Sequence, residues 1–420
     1  MPVWSVLKPD HVLQRARTTP DLLLLATVAV ILAGLVSGGL GLQGFRGRAD
    51  ALDRARAETA HQALLQIVRT RAVIADTAAA DDVLRGTERK PIAEREFEYA
   101  VEPAVTGVVV GARQADAVPL AIANRWLARY VQQVDNARTR ARAGDADAAA
   151  RTLTAASALL RAEVLPPLVT AQKASQARLA DDETAATRGG LLGLLGALLA
   201  LLVLAGVHWW LTLRTRRLVN LGLAGAMVLL LAIGLAGLVA VTLSRHRAEA
   251  VQDGAQLVAR TVVEARVAAF DARGRESLAV IGGDLADADA DWQRALDTAD
   301  AALVRARTGG TPAVRAEISA TAALLDRYGE QHARLLTLAR NGDTARVRTQ
   351  AASADGSAGT FEDFDATSGA LLARQVQVTD DGWASAGRNL RLIGWLSLVV
   401  GLVAGGCAWS GLTARTREYR

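Results

Sequence analysis

Few side chains in this 420-residue chain are grouped in a way that could carry chemistry. The densest acidic run is Asp284, Asp287, Asp289 and Asp291. It superficially matches a calcium loop, but the glycine at the sixth position and the bidentate glutamate at the twelfth are missing, so a solvated helix start is expected instead. The five histidines, His11, His61, His208, His246 and His332, are scattered and form no pair at metal spacing. The single cysteine, Cys407, can build neither an intramolecular disulfide nor a zinc or iron–sulfur site of cysteine ligands. No Gly-rich loop followed by Lys-Ser/Thr offers a phosphate cradle, and lysine occurs only at Lys8, Lys90 and Lys173. Arg69 with Arg71 could clamp a carboxylate, because guanidinium donors match that geometry. Solvated helix arginines are the simpler reading. We therefore expect no catalytic residue, no metal ligand and no cofactor.

The elements that would position any site are helical. Hydrophobic residues make up 51% of the chain but aromatics only 4%, and Ala, Leu and Arg dominate, so all-β classes are nearly excluded. Four apolar runs, 22–42, 189–211, 218–243 and 392–412, are long enough to cross a bilayer and hold no Asp, Glu, Lys or Arg in their interiors. A channel or secondary transporter is disfavoured for that reason. Gly34-xxx-Gly38, Gly189-xxx-Gly193 and Gly401-xxx-Gly405 are small-xxx-small patterns that let helices approach closely, within the chain or between copies in a homo-oligomer. Trp209, Trp210, Trp395 and Trp409 stand at interfacial positions.

Short basic connections set the expected topology. The N-terminal tail (1–21), the link 212–217 with Arg214, Arg216 and Arg217, and the tail 413–420 belong on the cytoplasmic side, and the two long segments 43–188 and 244–391 outside. This places the net charge of +5 largely in topology-determining connections and at a lipid surface, so nucleic acid is not expected as a partner. The short inner segments leave no room for a kinase or cyclase, so an inward signal must be handed to another protein.

The two outer segments read as a repeat. Arg129-Tyr130 and Gly144-Asp145 recur 198 residues later as Arg327-Tyr328 and Gly342-Asp343. Apolar stripes at helical spacing, broken near 81–91, 111–119 and 144–145, predict an antiparallel four-helix bundle for the first segment, with its outer helices continuing into spans. Pro103 and Pro166-Pro167 should kink their helices. Breaks at Gly282-Gly283, Gly309–Pro312 and Asn341–Asp343 repeat the scheme, with irregular structure expected across AASADGSAGT (351–360). The expected fold is an all-α membrane protein with four transmembrane helices and two duplicated extracytoplasmic four-helix bundles.

The turns ARAGDADAAA (141–150) and LARNGDTARV (338–347) resemble the turn between the third and fourth helices of bacterial chemoreceptor sensor modules. The whole order of span, bundle, span, basic turn, span, bundle, span resembles the four-span membrane component of the actinobacterial glutamate-sensing system. That resemblance implies two partners, an extracytoplasmic solute-binding lipoprotein carrying glutamate or aspartate and a cytosolic Ser/Thr kinase, protein kinase G. It carries over no functional residue. In an up-down bundle the membrane-distal loops are 80–91, 143–147, 282–290 and 341–343. Partner contacts are expected there from Asp81, Asp82, Arg85, Arg89, Lys90, Asp145, Asp284, Asp287 and Asp343, and inner output from Arg214, Arg216 and Arg217. The competing expectations are a self-contained sensor that binds a small molecule in its bundles and a structural or transporter-accessory envelope protein.

Overall fold

Within a bilayer every backbone N–H and C=O must be bonded inside the protein, so apolar runs of this length fold as helices. The computed structural model describes residues 19–85, 90–111, 116–215 and 220–416, and no strand occurs among them. The helices are α1 (Thr19–Arg85), α2 (Lys90–Gly111), α3 (Ala117–Arg142), α4 (Ala146–Leu159), α5 (Leu165–Thr215), α6 (Leu221–Val251), α7 (Leu257–Gly282), α8 (Leu285–Gly309), α9 (Pro312–Arg340), α10 (Thr344–Ala352), α11 (Ser357–Gly387) and α12 (Leu390–Thr416). Single π-turns, Leu160–Val164 and Gln252–Gln256, join α4 to α5 and α6 to α7. Four helical stretches, Leu22–Leu84, Ala146–Leu213, Leu221–Gly282 and Thr344–Thr413, contain windows apolar enough to cross a membrane, with mean hydropathy between 1.9 and 2.6. The protein is an all-α membrane protein.

Local chemistry explains the joints. Gly144 and Gly342 have φ of 82° and 75°, a region costly for residues with a Cβ. The aspartate after each caps the next helix: Asp145 accepts from the Ala148 N–H at 3.0 Å and Asp343 from the Arg346 N–H at 3.1 Å. The π-turn at 160–164 lies just before Pro166-Pro167, whose missing N–H groups and ring clash disturb the preceding turn, so the distortion expected there takes the form of a bulge. Pro103 lies inside α2. The chain between α10 and α11, residues 353–356, is non-helical, as its breaker-rich composition anticipates. As expected of bundle helices that continue into spans, α1 and α5 run past 42 and 189 without a break.

The chain divides into two compact units. The first takes its described residues from Met1–Ala55, Ala180–Arg247 and Trp383–Arg420. Its interior is apolar, with Leu23, Val30, Leu204, Leu223, Leu230, Ala404 and Leu412 all buried. Large side chains such as Leu24, Leu32, Leu202, Val228, Leu235, Leu392 and Leu402 point outward, the arrangement lipid requires. The small-residue patterns are contact points. A Cβ on Gly34 would lie 2.7 Å from the Gly401 carbonyl, and one on Gly44 would lie 2.6 Å from the Gly189 carbonyl. Helices this close exchange van der Waals contacts that a larger residue would break. Gly401→Val should therefore destabilise this unit by about 1–3 kcal/mol, the usual cost of overpacking, read as a lower denaturant midpoint of the purified protein. An unchanged midpoint would refute the contact.

The second unit comprises Arg56–Leu179 and Ala248–Gly382, so both long segments between the spans enter one compact body. Each contributes an apolar core, the first built around Leu65, Leu120, Leu127, Tyr130 and Leu160, the second around Val258, Phe270, Trp292, Tyr328 and Phe364. Ile74 and Leu165 pack against both cores. Most residues of helix α7 are buried, on several of its faces, although Arg260 stays exposed.

Candidate functional site

The sequence places small and polar residues where α1 meets α7, and the helices come close enough to bond directly. The Thr77 hydroxyl donates to the Phe270 carbonyl at 2.9 Å, and the Ser277 hydroxyl donates to Asp81. Beside this seam each repeat holds a buried carboxylate that is bonded to a serine. In the first repeat it is Asp76, 4% exposed, which accepts from the Tyr130 hydroxyl at 3.3 Å and from the Ser157 hydroxyl. In the second it is Glu276, 1% exposed, which accepts from the Ser357 hydroxyl and from Arg273 at 2.7 Å and pairs with His332 at 2.6 Å. The serine follows its carboxylate by 81 residues in both repeats. The same carboxylate–serine pairing thus occurs in each repeat.

Two arginines connect the copies. Arg161, in the π-turn, lies 3.5 Å from Asp76 and donates to Asp271 of α7 at 2.7 Å. Arg273, fully buried, reaches back to Asp81 of α1 at 3.1 Å and also donates to Ser357 and to the Ala351 carbonyl. His332 stacks on Trp292 with ring centroids 3.6 Å apart, and the Trp292 indole N–H donates to the Tyr328 hydroxyl at 3.1 Å.

The electrostatics of the two copies differ. Burial pushes the Asp76 carboxyl above the usual carboxylate range, and Arg161 with its two hydroxyl partners only partly opposes this. Burial also acts against charge on Glu276, but His332 and Arg273 outweigh it and hold its pKa below the usual range. Asp271 is likewise lowered, because Arg161 and Arg275 overcome its burial. A shift of α1 against α7 would strip charged groups of partners in a low-dielectric interior, so this seam resists partial sliding.

The residues expected at the distal loops have diverse surroundings. Asp82 is buried and bonded to Arg138 at 3.0 Å, with that guanidinium 4.4 Å from the Phe97 ring. Asp81 is held in the seam by Arg273 and Ser277. Both aspartates sit in the last turns of α1, where carboxylates oppose the helix dipole and need cationic partners. Asp145 and Asp343 spend one oxygen each on capping, while Asp284 and Asp287 are exposed at the start of α8. The structure therefore separates an inward pair from an outward set. Arg89, Arg216 and Arg217 lie outside the described residues, as do the side chains of Arg85, Lys90 and Arg214. In the acidic run, Asp291 is engaged by Arg275 and Asp289 faces His332.

Sequence reasoning missed Asp76, Ser157, Arg161, Arg273, Glu276 and Ser357. The signal that could have found them is the repeat itself, since carboxylate and serine recur in both copies at the same separation.

Residues 51–184 match the model of a family described as an actinobacterial sensor domain. No curated protein and no solved structure matches the chain. The matched stretch runs from the middle of α1 into α5 and contains the Asp76, Tyr130 and Ser157 cluster. Together with the four span-capable helices, it supports the reading of an actinobacterial membrane sensor and suggests a sensory role for this multi-pass protein.

Proposed function

We propose that the chain is a non-enzymatic transmembrane signal relay. Outside, it receives a solute-binding lipoprotein loaded with an amino acid, glutamate or aspartate. Inside, it passes the change to a cytosolic Ser/Thr kinase. Both termini and the Arg214, Arg216 and Arg217 link lie in the cytoplasm in this reading, against anionic lipid or the kinase.

The observation that carries the reading is helix continuity. The sensor match begins and ends inside α1 and α5, and each of these helices also contains a membrane-capable window. A displacement received by the matched residues therefore has an unbroken helical path toward a span. A partner shifts such a system only by preferring one arrangement, and a preference of about 1.4 kcal/mol changes the ratio of two states tenfold.

The exposed aspartates define the contact to test. Replacing Asp284 and Asp287 together by arginine should reduce co-purification of the lipoprotein by at least about tenfold, since like charges across an interface cost several kcal/mol. Crosslinking in native membranes followed by identification of partners tests the whole relay. Recovery of a solute-binding lipoprotein and a Ser/Thr kinase is the expected result, and recovery of neither would overturn it.

A further inference from the structure

In the second unit, three helices bring polar stripes to one cleft of about 50 Å³. Gln62, Gln66 and Arg69 come from one face of α1, Gln172 and Gln176 from α5, and Arg260 and Glu264 from α7. The spacing within each stripe is three or four residues, so each set lines a single face. Seven polar side chains around so small a space is unusual for a helical interior, where apolar contacts normally fill the seams.

The donors at this cleft outnumber the acceptors available to them. The Nε2 of Gln62 and the Nε of Arg69 are buried atoms with no hydrogen-bond partner among the described residues. Leaving a buried donor unpaired costs about 1–3 kcal/mol, more when it is charged. Two guanidiniums face one carboxylate, and that carboxylate, Glu264, is also engaged by Arg305 at 2.9 Å. Burial lowers the pKa of Arg69 and Glu264 offsets this only in part, so the guanidinium is under-compensated where it stands.

We propose that this cleft binds the carboxylate group of a small organic acid. The planar fork of Arg69 matches two carboxylate oxygens, and the glutamine amides complete the shell with neutral donors. The volume suits a carboxylate head, and the exposed Gln176 and Arg260 form a mouth past which the rest of a ligand can extend. A ligand here would touch α1, α5 and α7 at once. Its occupancy would therefore bear on the packing of α1 against α7, the same seam that Arg161 and Arg273 hold. This goes beyond the relay, because it gives the second unit an input that needs no partner protein.

Calorimetry of the purified full chain in lipid nanodiscs, with acetate, succinate and glycine as titrants and inorganic phosphate as a control, tests the site with no lipoprotein present. Saturable binding of at least one of the carboxylates is expected, with Arg69→Gln and Arg260→Gln each weakening it at least about tenfold, the loss of one charge-assisted contact. Arg260 is exposed, so its variant reports on binding even where Arg69→Gln disturbs folding. No saturable heat with any of the three, unchanged affinity in Arg260→Gln, or binding of phosphate alone would overturn the assignment. Any of these results would leave the relay standing, since crosslinking reads that independently.

Discussion

Arg273→Ala is expected to destabilise the second unit by about 3–5 kcal/mol, the cost of breaking a buried ion pair by removing one partner. The residue is fully buried, and its guanidinium lies within 3.1 Å of Asp81 and 2.7 Å of Glu276. Removing it leaves two carboxylates in the interior, along with the Ser357 hydroxyl and the Ala351 carbonyl that its N–H groups satisfy. The measurement is the denaturant midpoint of the purified chain. Adding Asp81→Asn and Glu276→Gln to an Arg273→Met background should recover part of the loss, because the two carboxylates that lost their arginine are then neutral. A midpoint close to wild type for the alanine variant would show that the seam is not held by this arginine.

Arg161→Ala should cost about 2–3 kcal/mol at neutral pH, through the loss of its charged hydrogen bond to the half-buried Asp271 and of its ion pair with the buried Asp76. The effect has a characteristic pH dependence. Asp76 already has a folded pKa above the usual range, and losing Arg161 raises it further. A carboxyl whose folded pKa is raised favours folding below its ordinary unfolded value, near 3.9, and loses that stability as pH rises toward the folded value. Asp271 adds the same sign, since its lowered pKa depends on Arg161 and its stabilising contribution is complete above the ordinary value and lost as the pH falls toward the lowered one. The two proteins should therefore converge in stability below about pH 4 and separate as the pH rises. Urea unfolding from pH 3.5 to 7.5 measures this, and a gap that stays constant with pH would assign Arg161 a packing role only.

These effects arise from residues with little local signature. Gly144-Asp145 and Gly342-Asp343 were legible because a left-handed glycine followed by a capping aspartate is a local solution to ending one helix and starting another. A turn signal at 86–91 follows Asp81 and Asp82 closely, so the sequence alone places them in a loop. Instead α1 continues to Arg85, and both carboxylates turn to arginines 192 and 56 residues away in sequence. No window of sequence contains both partners of such pairs.

The same division explains what each level of description determined. Hydropathy, helix propensity and turn chemistry act over a few residues, and the bilayer forbids unpaired backbone groups. The sequence by itself therefore determined the four membrane-capable helices, the helical class and the punctuation of both long segments between the spans. Only the tertiary structure decided that the two repeats share one compact unit, that most of α7 is buried within it, and which arginine meets which carboxylate. An arginine on a helix reads alike whether it faces water or a buried aspartate. The difference is the desolvation and pairing energy set by the face that packs against it, and that face belongs to a distant part of the chain.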